Sequence, residues 1–392
     1  MALEVPSWLN QCFVENILRK SEGDNSIQII DTFSNAATSK GDNYTSDIIR
    51  ITVKFSRDQG GCKIIEKKSA IVKLLPHESV RRQCVIQSGI FRTEISMMSD
   101  TLDKMNKLLG PKHRVSGKCL YMQNENPMLL MIEDLTPLGF RMADLQKAMS
   151  LRKKTDFFQK EPKHKELIGI FNNQHPPEAR NFFVMNTVII RALAEEIANW
   201  PKMKKYSEKI AKLTDHIYQI GVDATKLSED EFNVINHGDF HVNNILFKYD
   251  NDGKPIDPIF VDFQESVYTS PTVDLLYFLN TSPSPDVIEN KKNILLNEYL
   301  VSLSTTMKQL NCKTQPLTMG ELEANLKRRA SYGMIVSFTV LPLMLNSKTE
   351  ARDLNEIVGT GGWINSGLKS ENYKKLMIKR IPLYDEWGLL DF

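Results

Sequence analysis

His237, Asp239 and Asn244 fall in the chain as H-x-D-x-x-x-x-N, within Val234-Ile235-Asn236-His237-Gly238-Asp239-Phe240-His241-Val242-Asn243-Asn244-Ile245-Leu246-Phe247, and Asp262 heads a D-F-Q tripeptide shortly after. These residue types at these spacings suit phosphoryl transfer from ATP. That reaction needs a carboxylate to take the acceptor hydroxyl's proton and oxygen ligands to hold Mg²⁺ against the phosphates. Asp239 fits the first role, Asn244 and Asp262 the second. Alone, an H-x-D can be a helix cap or a turn, and D-F-Q a chance tripeptide. Their order favours chemistry, as does what separates them: Ile245 to Tyr249 and Pro258 to Val261 read as short strands joined by Asp250-Asn251-Asp252-Gly253-Lys254-Pro255, strong turn chemistry. Such a hairpin returns Asn244 and Asp262 to the same end.

The elements that must position these groups are legible upstream. A helix is expected from Pro6-Ser7, with Leu9, Phe13 and Ile17 at helical spacing, then a strand from Ser26 to Phe33. Gly41-Asp42-Asn43-Tyr44-Thr45-Ser46 leads into Ile49-Arg50-Ile51-Thr52-Val53-Lys54-Phe55, whose alternation predicts a half-buried strand. Strand, small-residue loop, strand is a way to cover phosphates with backbone N–H groups, although one glycine also fits a plain hairpin. Ala70-Ile71-Val72-Lys73-Leu74-Leu75 places a lysine inside an apolar strand. It suits a phosphate clamp; the competing reading is an edge-strand lysine. Phe91, Ile95, Met98, Leu102 and Met105 form a helical stripe, and Glu94 on its flank can pair with Lys73 or be solvated.

Pro127-Met128-Leu129-Leu130-Met131-Ile132 reads as a buried strand ending in Glu133-Asp134-Leu135, where the chain would cross between lobes and its backbone would carry adenine contacts. Beyond it the periodicity is helical: Phe182 to Trp200, Tyr206 to Ile220, and Leu296 to Leu310. The expectation is an α+β, two-lobed protein-kinase-like fold. A small β-sheet lobe with one main helix would span 1–133, and a larger, mainly helical lobe 134–392. Gly359-Thr360-Gly361-Gly362 is read as a loop, and the basic runs Arg152-Lys153-Lys154 and Lys327-Arg328-Arg329 as solvated helix faces.

Composition narrows the classes. Of 392 residues, 50 are basic and 48 acidic, a net charge of +2, which argues against nucleic-acid binding by bulk charge. The five scattered cysteines, without a C-x-x-C pair, favour a reducing compartment and no structural metal. No secretory leader or membrane-length apolar run is visible, so a cytoplasmic monomer is expected. After Asp262 there is no A-P-E and little room for a peptide-binding activation segment before Pro271-Thr272-Val273-Asp274-Leu275-Leu276, which points to a small-molecule acceptor. Asp274 is expected to cap the next helix and brace the catalytic loop.

The motif set as a whole resembles the ecdysteroid kinase-like family, a branch of the choline/aminoglycoside kinase-like small-molecule kinases. The likeness rests on Gly41 to Ser46 with Arg50, Val72-Lys73 with Leu75-Pro76, Glu94, Glu133-Asp134-Leu135, Gly139-Phe140-Arg141-Met142-Ala143-Asp144, His237-Gly238-Asp239, Asn243-Asn244, Val261-Asp262-Phe263-Gln264 and Asp274-Leu275, with Trp387 to Asp391 a weaker match. The resemblance implies ATP, Mg²⁺ and transfer of the γ-phosphate to a hydroxyl of a steroid-like or xenobiotic small molecule, in hormone inactivation or detoxification. It implies Asp239 as the base, Asn244 and Asp262 as metal ligands, Lys73 as the phosphate clamp with Glu94 its partner, and Asn43, Tyr44 and Ser46 as the phosphate loop. Glu133 and Leu135 stand at the nucleotide-binding crossing.

Two departures accompany the likeness. The family usually carries tryptophan where this chain has His241. Its leucine-alanine, histidine-alanine-x-serine helix after Asp144 is not found, being either diverged or missing. A catalytically silent kinase-fold binding protein and a choline- or aminoglycoside-type kinase are the alternatives. The intact set Lys73, Asp239, Asn244 and Asp262 argues against the first; the second would want an acidic or aromatic pocket.

Overall fold

The computed structural model describes residues 5–37, 45–77, 80–110, 113–142, 167–175, 184–345 and 366–392. Helix α1 (Gln11–Glu22) is followed by β1 (Gln28–Ala36), β2 (Asp47–Gln59) and β3 (Cys62–Leu74). Gly60 and Gly61, at φ +61° and +83°, make the tight β2–β3 turn that positive φ at both central positions allows. With β4 (Cys119–Gln123) and β5 (Leu129–Glu133) these strands form an antiparallel sheet in the order β1-β2-β3-β5-β4.

Strand alternation decides what each face does. Ile49, Ile51, Val53 and Phe55 of β2, with Ala70, Val72 and Leu74 of β3, pack beneath Val14, Ile17 and Leu18 of α1. The intervening Ile48, Arg50, Ile71 and Lys73 therefore face the opposite way, into a cavity. The next helical run comprises α2 (Val80–Ser88), α3 (Ile90–Ser96), a π-turn (Met97–Thr101) and α4 (Leu102–Leu109). The predicted stripe Phe91, Ile95, Met98, Leu102, Met105 is buried along it.

After β6 (Arg141–Met142) the described chain becomes mainly helical: α5 (Val184–Ala198), α6 (Lys204–Lys212) and α7 (Ile217–Thr225) precede the catalytic segment. That segment contributes β7 (Val234–Asn236), β8 (Ile245–Tyr249), β9 (Pro255–Phe260) and β10 (Val267–Thr269). Helices α8 (Thr272–Thr281), α9 (Pro285–Gln309), α10 (Met319–Arg328), α11 (Ala330–Met344) and α12 (Glu371–Glu386) complete a second, larger core with α5 to α7. The α+β architecture is as expected. No helix among the described residues is long and apolar enough to cross a membrane.

Some local expectations change. The stripe Tyr206 to Ile220 is buried throughout but belongs to two helices separated by a 3₁₀ turn at Leu213–Asp215. Arg329, read as part of a solvated face, is buried. Its guanidinium meets Glu231 at 3.0 Å and donates to the carbonyls of Ala224 at 2.6 Å and Lys226 at 2.9 Å, satisfying the C-terminal end of α7. Phe182, Arg152 to Lys154, Gly359 to Gly362 and the family helix after Asp144 lie outside the described residues.

Candidate active site

The two reactive loops hang between two ladders. One loop runs from β7 to β8 and the other from β9 to β10; β7 pairs with β10 and β8 with β9, so the loops lie side by side. Val261 N–H donates to the Asn244 carbonyl at 3.0 Å, and His237 Nε2 bonds the Val261 carbonyl at 2.9 Å. Asp262 is at φ +70°, a left-handed conformation that costs a non-glycine residue energy and concentrates at functional sites.

Asp274, on the first turn of α8, braces this assembly. Its carboxylate accepts from His237 N–H at 2.7 Å and Gly238 N–H at 2.9 Å. The helix itself starts after Pro271, so Asp274 acts on the neighbouring loop rather than as the cap. Asp274→Ala strands two buried N–H donors and is expected to cost roughly 2–6 kcal/mol, at about 1–3 kcal/mol per unsatisfied group, as read by denaturant unfolding. Gly238 is constrained as tightly: at φ +87° an added Cβ would stand 1.9 Å from the Glu265 carbonyl oxygen. Gly238→Ala is expected to displace the loop, lowering kcat by about five- to thirtyfold for roughly 1–2 kcal/mol of backbone strain felt at the transition state. Steady-state kinetics beside a melting curve checks it.

Lys73 is the charge centre. Its ammonium lies 2.6 Å from Glu94 Oε1 and 2.9 Å from Asp262 Oδ1. Burial alone would lower its pKa, but Asp262 and Glu94 more than offset this and hold it above the ordinary value. Burial lifts the Glu94 carboxyl to about 7, against the opposing pull of Lys73.

Asp239 accepts from the Tyr277 hydroxyl, from Asn244 Nδ2 at 2.9 Å and from His241 Nε2, 3.3 Å away. Burial would raise the Asp239 carboxyl, but His241 and Tyr277 reverse the shift and hold it below the usual carboxylate range. It is thus ionised and pinned at neutral pH. Burial and Asp239 keep the Tyr277 hydroxyl protonated, as a donor. Because Asn244 spends its amide nitrogen on Asp239 and Asp262 spends Oδ1 on Lys73, Asn244 Oδ1 and Asp262 Oδ2 are the oxygens left for a cation. Two such ligands suit Mg²⁺, which takes one or two protein groups and fills its octahedron with phosphate oxygens and water.

Lys73, Asp239, His241, Asn244, Asp262 and Tyr277 line one cavity of about 560 Å³, with Glu94 buried behind Lys73 and outside the lining. One end is walled by Ile48, Ile71, Ile132 and Leu135, the other by Phe171, Ile335, Val336 and Val340. A larger cavity of about 850 Å³, between α8, α9, α10 and α12, contains none of them. Glu133 lines the first cavity while binding Arg114 and the Lys118 N–H, and Leu135 is buried with its carbonyl accepting from Leu138 and Phe140 N–H. Ser46 is buried and its carbonyl accepts from Arg81 at 2.7 Å; at this point the cavity wall is Thr45. Asn43 and Tyr44 lie outside the described residues.

Comparison with known proteins then decides the lineage. The family model for the ecdysteroid kinase-like family matches residues 40–160 and 148–312, well over half of the chain. The chain belongs to the ecdysteroid kinase-like family. Its architecture is the kinase-like one that this family implies, and membership suggests a small-molecule kinase that uses ATP. No curated protein matched the sequence.

Against this ecdysteroid kinase-like frame, the sequence reading missed Tyr277. Asp274 and Tyr277 are three apart on α8, so one helix face presents both to the catalytic loop, a signal available in the spacing. It also missed the Thr45 hydroxyl donating to Gln264 Oε1 at 2.7 Å, which ties the end of the β1–β2 connection to the D-F-Q turn. Arg50 and Ser69 both bind Asp134, at 2.9 and 2.7 Å, fixing the crossing after β5 to the sheet. These long-range pairs had no local sequence signal.

Proposed function

We propose that this protein is an ATP-dependent kinase that transfers the γ-phosphate to a hydroxyl of a lipophilic small molecule. The observation that carries the proposal is the meeting of Lys73, Asp239, Asn244 and Asp262 in one cavity with apolar walls at both ends. In this reading the N-terminal lobe (1–133), which carries the sheet, covers the nucleotide, with the adenine between Ile71 and Leu246. Lys73, oriented by Glu94, holds the α and β phosphates, and Asn43, Tyr44 and Ser46 are assigned to the outer phosphates. The part from 134 to 392 supplies the acceptor wall.

Asn244 and Asp262 would hold Mg²⁺, which when bound neutralises charge developing on the phosphates. Asp239, kept anionic by its three donors, orients the acceptor hydroxyl and receives its proton as the new P–O bond forms. A weak base suffices because the transition state is loose and the proton departs late. Apolar Phe171, Ile335, Val336 and Val340 favour a lipophilic body on the acceptor.

The test is incubation of the protein with Mg-ATP and a mixture of lipophilic hydroxylated metabolites, followed by mass spectrometry for a gain of phosphate. A parallel thermal shift with Mg-ATP reads nucleotide binding. Chelation of divalent ions is expected to abolish transfer and added Mg²⁺ to restore it. Nucleotide binding without phosphate gain across the mixture would favour a silent binding protein.

A further inference from the structure

The larger cavity, of about 850 Å³, shares no lining residue with the site cavity. Helices α8 and α11 form the partition between them. Leu276 and Leu279 of α8 and Gly333 of α11 line the larger cavity, whereas Tyr277 and Val336 of the same helices line the site cavity. Gly333 lets the two helices meet, since a Cβ on it would stand 2.7 Å from Asn280 Nδ2. Lys73, Asp239, Asn244 and Asp262 are all outside the larger cavity, so what it binds does not depend on the kinase reading.

The walls suit an alkyl chain. Leu276, Leu279, Leu296 and Leu326 are buried along them, and Leu383 and Trp387 line the cavity while 43% and 56% exposed, so apolar surface continues to the mouth. A volume of this size holds a lipid-sized molecule. A peptide would fit badly, because its backbone N–H and C=O groups need partners that leucine side chains do not offer.

The polar groups on the lining select the charge of the occupant. Three are cations, Lys292, Lys327 and Arg380, against the two carboxylates Glu323 and Glu386, and none of the five forms an ion pair among the described residues. Arg380 is already oriented. Its Nη1 donates to the Asn280 carbonyl at 2.9 Å and to Ser337 Oγ at 3.0 Å, which uses both hydrogens of that nitrogen and fixes the guanidinium against α8 and α11. The Nε–Nη2 edge keeps its donors. Two parallel N–H bonds on one guanidinium edge are what grips a carboxylate in bidentate fashion.

We infer that this cavity is a binding site for a long-chain carboxylate, its tail among the leucines and its head group on the free edge of Arg380, with Lys292 and Lys327 adding charge. A guanidinium already held by α8 and α11 loses little freedom on binding, which favours affinity. An alkyl alcohol would fill only half of the fork, and an alkyl ammonium would meet three like charges.

The experiment is calorimetric titration of the full chain with laurate, hexanoate and dodecyltrimethylammonium, each below its micelle concentration. Laurate is expected to bind at one molecule per chain, at least about a hundredfold more tightly than hexanoate, which has six fewer methylenes to bury, and at least about tenfold more tightly than the ammonium. Leu383→Glu puts a carboxylate on the lining at a half-exposed position and is expected to weaken laurate at least about tenfold. Arg380→Lys keeps the charge but not the fork, and is expected to weaken it about five- to tenfold. Ile378→Glu, the same kind of change on α12 at a 40% exposed position off the lining, is expected to leave it within about threefold. Melting curves of the three variants establish that each is folded.

No laurate binding to wild type overturns the inference, as does laurate affinity that survives Leu383→Glu, which would place the ligand elsewhere. Binding of the ammonium as tight as laurate overturns the assignment of charge. Wild-type laurate affinity in Arg380→Lys overturns the role of the guanidinium edge.

Discussion

Asp239→Asn is expected to lower kcat by about two to four orders of magnitude, the usual contribution of a positioned proton acceptor, while Mg-ATP still raises the melting temperature. The expectation comes from the geometry. Asp239 is held on both carboxylate oxygens, with Asn244 Nδ2 on Oδ2 and the Tyr277 hydroxyl and His241 on Oδ1. An amide there keeps the volume but puts an NH₂ against groups that are themselves donors, and it cannot take a proton from the acceptor. The nucleotide contacts proposed for Lys73, Glu133 and Leu135 do not pass through Asp239, so binding survives. Wild-type turnover in the variant would remove Asp239 from the reaction.

Lys73→Met is expected to remove both turnover and the Mg-ATP thermal shift, and to destabilise the free protein by about 3–5 kcal/mol, the scale of breaking a buried ion pair from one side. Glu94 and Asp262 would lose their common counter-charge. The pH dependence has a definite sign. In the intact chain the Glu94 carboxyl is lifted to about 7 from its ordinary 4.5, so between these values the folded state binds a proton that the unfolded state releases. Stability from this group is full below about 4.5 and is lost as pH rises through 7. Removing Lys73 takes away the opposing pull, so the variant is expected to go on losing stability above pH 7, where the contribution of this group in wild type levels off. Denaturant midpoints at pH 5 and pH 8 measure it, and Lys73→Met with Glu94→Gln should recover stability but not activity. A flat difference between those two pH values would show that Glu94 carries no such strain.

The central residues were legible before any coordinates because their signals are local. H-x-D-x-x-x-x-N and D-F-Q bracket a hairpin, and a hairpin's register is set by its own turn and alternation. Lys73 was legible for a related reason. The period of a strand puts it on the face opposite Val72 and Leu74, and the helical stripe around Glu94 limits where its partner can lie. Arg329 shows where that reasoning stops. Its neighbours Lys327 and Arg328 look like a solvated face, yet a break between α10 and α11 turns it onto the carbonyl end of α7, an element more than a hundred residues earlier.

By itself, then, the sequence determined the chemistry's raw material: which carboxylates, amide and lysine exist, the elements that carry them, and the α+β class with a sheet first and helices after. Only the tertiary structure decided their electrostatic state and company. The Tyr277 donor on Asp239, the bracing of the catalytic loop by Asp274 and the Thr45–Gln264 tie all join segments far apart in the chain. The physical reason is range. Periodicity and turn propensity act over a few residues, whereas desolvation and hydrogen bonding depend on whatever packing brings within about 3 Å, which no local pattern encodes.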